Sequence, residues 1–306
     1  MSSTYPPSRT VLGIIGGSGI YQMDAIEEAR WERVSGPWGE PSDELLTGRL
    51  GGVDCVFLPR HGRGHRLTPS TINYRANIDA LKRIGVTDIV SLSACGSLKE
   101  DLAPGAFVMV DQFIDLTRKR ENSFFGPGLV AHVPLGHPVC PRLSHALAEA
   151  AAGAGVAQVV RGGTYVTIEG PHFSTYAESM LYRSWGCEVI GMTNATEAKL
   201  AREAELPYAT AAMVTDYDCW HPEHDHVEVA AVIRILNENA QKARDMLAAL
   251  APMLGPERTP SPLGVETVLD SAVITPPEAR DPEMVKKLDA VAGRVLGGDR
   301  GKVAQQ

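Results

Sequence analysis

Short apolar runs, each closed by a polar or glycine-rich segment, recur along most of the chain. Residues 11–15 run into Gly16 to Gly19, 55–58 into Pro59 to Gly62, and 88–92 into Ser93 to Ser97. The same happens at 107–110 before 111–115, at 164–168 before 169–173, at 188–191 before 192–194, and at 208–214 before 215–218. Near-continuous β-branched runs of this length are the pattern of strands buried on both faces. Between several of them apolar residues recur at helical spacing. Ala76, Ile78, Ala80, Leu81 and Ile84 precede Gly85, and an alanine-rich stretch covers 143–154. The longest stripe, over 227–250, carries Val229, Val232, Ile233, Leu236, Ala240, Ala243, Leu247 and Leu250, spaced as on one face of an amphipathic helix.

Alternating strands and helices predict an α/β fold: one domain with a central mixed sheet flanked by helices. Ligands in such sheets collect at the carboxyl ends of the strands, where the polar segments fall here. Beyond Gly255 the pattern changes. Prolines at 256, 260, 262, 276, 277 and 282 interrupt regular structure. The expected organisation is a domain over 1–255 and a C-terminal extension over 256–306. The extension reads as an extended arm to 282, a weak helix at 284–296 and a polar tail.

The 306 residues suffice for a large core, and 44% hydrophobic and 22% charged residues are ordinary for a globular chain. A net charge of −8 excludes the overall basic face of a nucleic-acid or anionic-membrane binder. No apolar run is long enough to span a bilayer, and residues 1–10 lack the pattern of a secretory signal. Cys55, Cys95, Cys140, Cys187 and Cys219 are odd in number and free of CxxC spacing. Reduced, buried thiols and a cytoplasmic setting are the expectation.

The strand-end segments carry the candidate chemistry. Gly16 to Gly19 is either a tight turn or an oxyanion cradle using backbone amides and the Ser18 hydroxyl. It lacks the GxGxxG spacing of a dinucleotide site. Arg60 and His61 suit phosphate, the guanidinium through two hydrogen bonds and the imidazole as a further donor, unless they belong to a solvated basic loop. Ser93 to Ser97 is built of small residues that admit a ligand close to the backbone. Asp216 and Asp218 sit one residue apart after an apolar strand. Such a pair serves as turn caps, or as one acid and one acceptor for a purine leaving group. His221, His224 and His226 match no zinc spacing, so a polar loop without metal is expected.

Taken in order, GIIGGSGIY, PRHGRGH, NYRANIDALK, SACGSL, DQFID, VTIEGPHFSTYAES, WGCEVIGMT and VTDYDCW resemble the methylthioadenosine-cleaving branch of the trimeric purine nucleoside phosphorylases. The resemblance covers roughly residues 10 to 252. It implies phosphorolysis of 5′-methylthioadenosine to adenine and 5-methylthioribose 1-phosphate. Inorganic phosphate is the co-substrate, and no metal or organic cofactor is implied. It assigns phosphate to Ser18, Arg60, His61, Ser93, Ala94 and Thr193, and the ribose to Met192. Phe173 and Ile190 would flank the base, with Asp216 near N7 and Asp218 near the 6-amino group. Val229 would face the 5′ group. His132 would complete that pocket from a neighbouring subunit of a homotrimer. Serines at 18 and 93, where some relatives carry threonine, keep the hydroxyl. A nucleosidase, a phosphorylase preferring adenosine or methylthioinosine, and a non-catalytic nucleoside sensor are the alternatives.

Overall fold

The computed structural model describes residues 6–17, 19–20, 23–222 and 229–297, with the side chains of 229–233 excepted. In chain order the elements of the main body are β1 (Val11–Gly16), β2 (Glu27–Glu32), β3 (Leu45–Leu50), β4 (Val53–Pro59), α1 (Tyr74–Arg83), β5 (Asp88–Ser97), β6 (Phe107–Met109) and β7 (Gln112–Asp115). They continue as α2 (Pro141–Gly153), β8 (Val159–Arg161), β9 (Thr164–Thr167), α3 (Tyr176–Ser184), β10 (Val189–Gly191), α4 (Asn194–Glu203), β11 (Tyr208–Asp216) and α5 (Val229–Leu254). The expected mixed α/β architecture is present.

The strands form one branched sheet, with β5 at the fork. Asp88 to Ser91 lies parallel to β1, Ile89 to Gly96 lies parallel to β11, and its end pairs antiparallel with β10 through Gly96 and Ser97. From there β10, β9 and β7 run parallel to one another, while β11 leads through β6 to β8. The fork explains a difference from the sequence reading. Ser93 to Ser97, expected as a loop, continues the strand because two different neighbours supply its hydrogen bonds.

Period-two alternation assigns each strand face to a core. Leu12 and Ile14 of β1 and Phe57 of β4 pack with Leu143, Leu147, Met246 and Leu247 of α2 and α5. Ile15, Val56 and Leu58 pack on the opposite side with Ile78 and Leu81 of α1 and Leu200 of α4.

The C-terminal segment is not a detached arm. Arg258, with a side chain 1% exposed, donates from Nε to Asp88 Oδ2 at 2.6 Å and from Nη2 to Glu266 Oε1 at 2.6 Å. Leu269, Leu288 and Val291 are buried in the core shared with α1 and α4. The prolines punctuate short helices at Leu269–Ala272 and Pro282–Lys287. The weak helix expected at 284–296 is the latter plus Gly293–Leu296, with a turn between them.

Candidate active site

The ends of β4, β5, β10 and β11 converge on a cavity of about 370 Å³ with a largely apolar lining. Of the residues singled out from sequence, Arg60, His61, Ser93, Ala94, Phe173, Ile190, Met192, Thr193, Asp216 and Asp218 all line it. Ser18 lies outside the described residues, although its neighbour Gly17 lines the cavity. Val229 opens α5, but its side chain likewise lies outside the description. His132 does not reach this cavity. It is exposed and borders a separate surface hollow with Lys199 and Glu203.

At one end, Arg60 leaves β4 and turns inward, its side chain 3% exposed. Its Nε and Nη2 grip Glu197 of α4 at 2.5 and 3.2 Å, Nη2 also meets Ser91 Oγ, and Nη1 donates to Leu92 O at 2.9 Å. A guanidinium has five N–H donors, so one Nη1 hydrogen remains for a ligand. Two of its nitrogens, Nε and Nη2, are thus engaged by Glu197. Burial alone would lower the Arg60 pKa, and the Glu197 carboxylate more than offsets that, holding the charge in place.

His61 is held by a backbone carbonyl. Its Nδ1 lies 2.8 Å from the carbonyl of Leu67. A carbonyl only accepts, so Nδ1 carries the hydrogen and Nε2 of the neutral ring is an acceptor. Burial and the neighbouring Arg60 charge hold the imidazole down at about 4, against the pull of the Leu67 hydrogen bond. In the free site the neutral ring thus offers a lone pair at Nε2. Thr193 supplies the N-cap of α4, so the positive end of a ten-residue helix opens at the same wall. Ser93 Oγ, beside it, is 3.2 Å from Tyr165 Oη.

At the other end a register shift in β11 between Val214 and Asp216 brings the two aspartates to the cavity. Asp216 Oδ2 accepts from Thr215 Oγ1 at 2.7 Å, and Asp216 Oδ1 accepts from the Asp218 backbone N–H at 2.8 Å. Burial raises the Asp216 pKa against both bonds. Burial pushes Asp218 higher, to about 6, with the Asp216 charge adding to it. Asp218 also has φ of +53°, a sparsely populated region for a residue with a Cβ.

The family model of the phosphorylase superfamily matches residues 11–251. The chain belongs to that superfamily. The S-methyl-5′-thioadenosine phosphorylase of Bradyrhizobium diazoefficiens is 62% identical over 95% of this chain and 100% of its own length. The protein of the same name from Cereibacter sphaeroides is 61% identical over 95% and 100%. Among solved structures, a methylthioadenosine phosphorylase from an antarctic soil metagenomic library superposes with a TM-score of 0.88 at 47% identity, covering 93% of this chain and 99% of that one. An adenosine/methylthioadenosine phosphorylase variant from Schistosoma mansoni, solved with methylthioadenosine, gives 0.76 at 40% identity over 81% and 92%.

Several residues of this superfamily member were not foreseen. Glu197 reads in sequence as an acidic residue in the first turn of a helix, where solvent exposure is the ordinary outcome. Arg120 is buried and ties two walls together, donating to the carbonyls of Glu169 and Met192 and to Tyr74 Oη. Leu236 and Ala240 line the cavity from α5. They share the stripe of Val229 at seven and eleven residues' distance, so the helical period already placed them on one face.

Proposed function

We propose that this chain catalyses phosphorolysis of 5′-methylthioadenosine, yielding adenine and 5-methylthioribose 1-phosphate. The observation that carries the proposal is one cavity with a spare Arg60 N–H, the Ser93 hydroxyl and the N-terminus of α4 at one end and a raised carboxyl pair at the other. The names of the full-length relatives support it. Phosphate, resting near Arg60, His61, Ser93, Ala94 and Thr193, attacks the anomeric carbon from the face opposite the base. The bond to N9 breaks with its electron pair leaving on adenine, and the sugar passes through a cationic transition state stabilised by phosphate. Asp216 supplies the proton shared with N7, which improves the leaving group. Asp218 accepts from the 6-amino group, and Met192 lies along the ribose. Phe173 and Ile190 hold the base faces.

Leu236 gives the cavity an apolar wall from α5, and Val229, assigned to the 5′ group from the sequence, is apolar as well. A methylthio group is satisfied there, whereas a 5′-hydroxyl lacks a partner. Phosphate is the co-substrate, and the steps call for no metal or organic cofactor. We further propose a cytoplasmic homotrimer in which the exposed His132 completes a neighbour's 5′ pocket. The Schistosoma protein's name includes adenosine, so adenosine is the competing substrate to measure. Adenine release from methylthioadenosine that requires phosphate tests the proposal; release in water alone makes the chain a nucleosidase.

A further inference from the structure

Among the described residues, the charges at the anion end of the cavity nearly cancel. Glu197, with a side chain 3% exposed, accepts from Arg60 twice, from Ser91 Oγ at 2.8 Å and from Tyr208 Oη at 3.0 Å. Asn194 Nδ2 fixes the far side of this network through Ser91, Tyr208 and Thr210 at 3.1, 2.9 and 2.6 Å. Every rotamer in the cluster is thereby fixed, and the Arg60 charge is cancelled at contact distance by a carboxylate that points away from the ligand space. His61 is neutral and presents Nε2 as an acceptor. Among the described residues, the other charged or titratable groups that act on His61 are Arg60, Glu197 and His65, whose ring stacks on it at 4.3 Å. Arg244 reaches the back of the nearby turn, donating to Gly19 O at 2.8 Å, and does not line the cavity.

A phosphate dianion entering this end would meet one spare Arg60 hydrogen, neutral hydroxyls, a helix terminus and an imidazole lone pair. Two lone pairs facing one another repel. A single proton between them turns the contact into a charge-assisted hydrogen bond. We propose that phosphate binds together with one proton taken from solvent and held on His61 Nε2, and that Glu197 is the positioning residue that makes the proton necessary by cancelling Arg60. No bond of phosphate is made or broken in the uptake: neutral imidazole gains a proton and donates it to a phosphate oxygen. The inference rests on the proposed assignment of phosphate to this end of the cavity. Opposite charge at hydrogen-bond distance in a half-buried site is the strongest means of raising a depressed imidazole.

Calorimetric titration of inorganic phosphate into the whole enzyme at pH 8, in two buffers of different ionisation heat, counts the protons. Wild type is expected to take up about one proton per phosphate. His61→Gln is expected to take up none; uptake persisting in that variant would place the proton on phosphate and overturn the assignment to His61. Glu197→Gln frees the Arg60 charge, so uptake falls below about half a proton, and the phosphate KM shifts several-fold more than the methylthioadenosine KM. Glu197→Asp keeps the charge and keeps the uptake. A merely structural Glu197 would change the melting temperature and leave the proton count at its wild-type value, which overturns its role. Wild type binding phosphate with no proton uptake refutes the inference and leaves the proposed function standing. Absence of both phosphate binding and phosphorolysis refutes the two together.

Discussion

Gly191→Ala tests how packing beneath the cavity supports its chemistry. A Cβ built on Gly191 falls 1.8 Å from Tyr165 Oη and 2.5 Å from Cζ. Tyr165 is fully buried, its ring packing edge-on against Phe113 at 5.9 Å. The ring cannot swing into solvent, so it must shift within an interior packed as densely as a crystal. Overpacking of this kind costs about 1–3 kcal/mol, and so direct a clash belongs at the upper end, about 3 kcal/mol. At about 2 °C per kcal/mol for a chain of this size, the melting temperature should fall by about 6 °C. Because Tyr165 Oη is 3.2 Å from Ser93 Oγ, displacement of the ring also disturbs the anion wall. The phosphate KM should therefore rise more than the nucleoside KM. Thermal melts by circular dichroism and phosphorolysis at varied phosphate check both effects. Tyr165→Leu in the same background removes the clash and should recover part of the lost stability, a non-additivity expected only for touching residues. A melting temperature within 1 °C of wild type, or purely additive variants, would refute the packing account.

Arg258→Met removes the cation shared by buried Asp88 and Glu266 and leaves Asp88 to Arg142; because part of the network stays paired, the cost belongs at the lower end for a broken buried pair, about 3 kcal/mol. Asp88 opens β5 while the cavity lies at the strand's other end, so KM values measured below the melting transition should stay unchanged. Asp218 has a folded pKa raised to about 6. Its linked stability is therefore present at acid pH and is lost as pH rises through about 6, to the extent of about 2–3 kcal/mol. Asp218→Asn should accordingly be more stable than wild type in denaturant melts at pH 8, yet lose at least about a hundredfold in kcat/KM by setting a donor against the amino group. In wild type, kcat/KM should fall about tenfold per pH unit below about pH 6, as the accepting carboxylate is protonated.

Much of the fold was legible because apolar strands and helix stripes write their burial directly into the sequence. The runs at 11–15, 55–58 and 208–214 became the central strands β1, β4 and β11. What escaped notice followed a different rule. β2 is charged and exposed at the sheet edge, where charges discourage pairing with other chains, so no apolar period announces it. α3 did carry a sequence signal, the Thr175 and Glu178 capping box, which an apolar-stripe criterion passes over. α4 buries Glu197 and Glu203, and a polar residue satisfied in the interior looks like a surface residue in one dimension. The extension after Gly255 was misread because prolines between short helices resemble a linker until Arg258 and Leu288 are seen buried.

In the candidate site, the residue types and their convergence were readable from strand ends, but their roles as donors or acceptors were not. Those roles depend on partners distant in sequence, Glu197 for Arg60 and the Leu67 carbonyl for His61. Hydrogen-bond direction is a property of the assembled network, and no local motif encodes it.

The most direct measurement is adenine release from methylthioadenosine by the purified chain with phosphate present and with phosphate removed, beside the same reactions on adenosine and methylthioinosine. The account predicts that release requires phosphate, yields 5-methylthioribose 1-phosphate in equal amount, and has its highest kcat/KM with methylthioadenosine. Release at the same rate in phosphate-free buffer, or a higher kcat/KM for methylthioinosine, would contradict it.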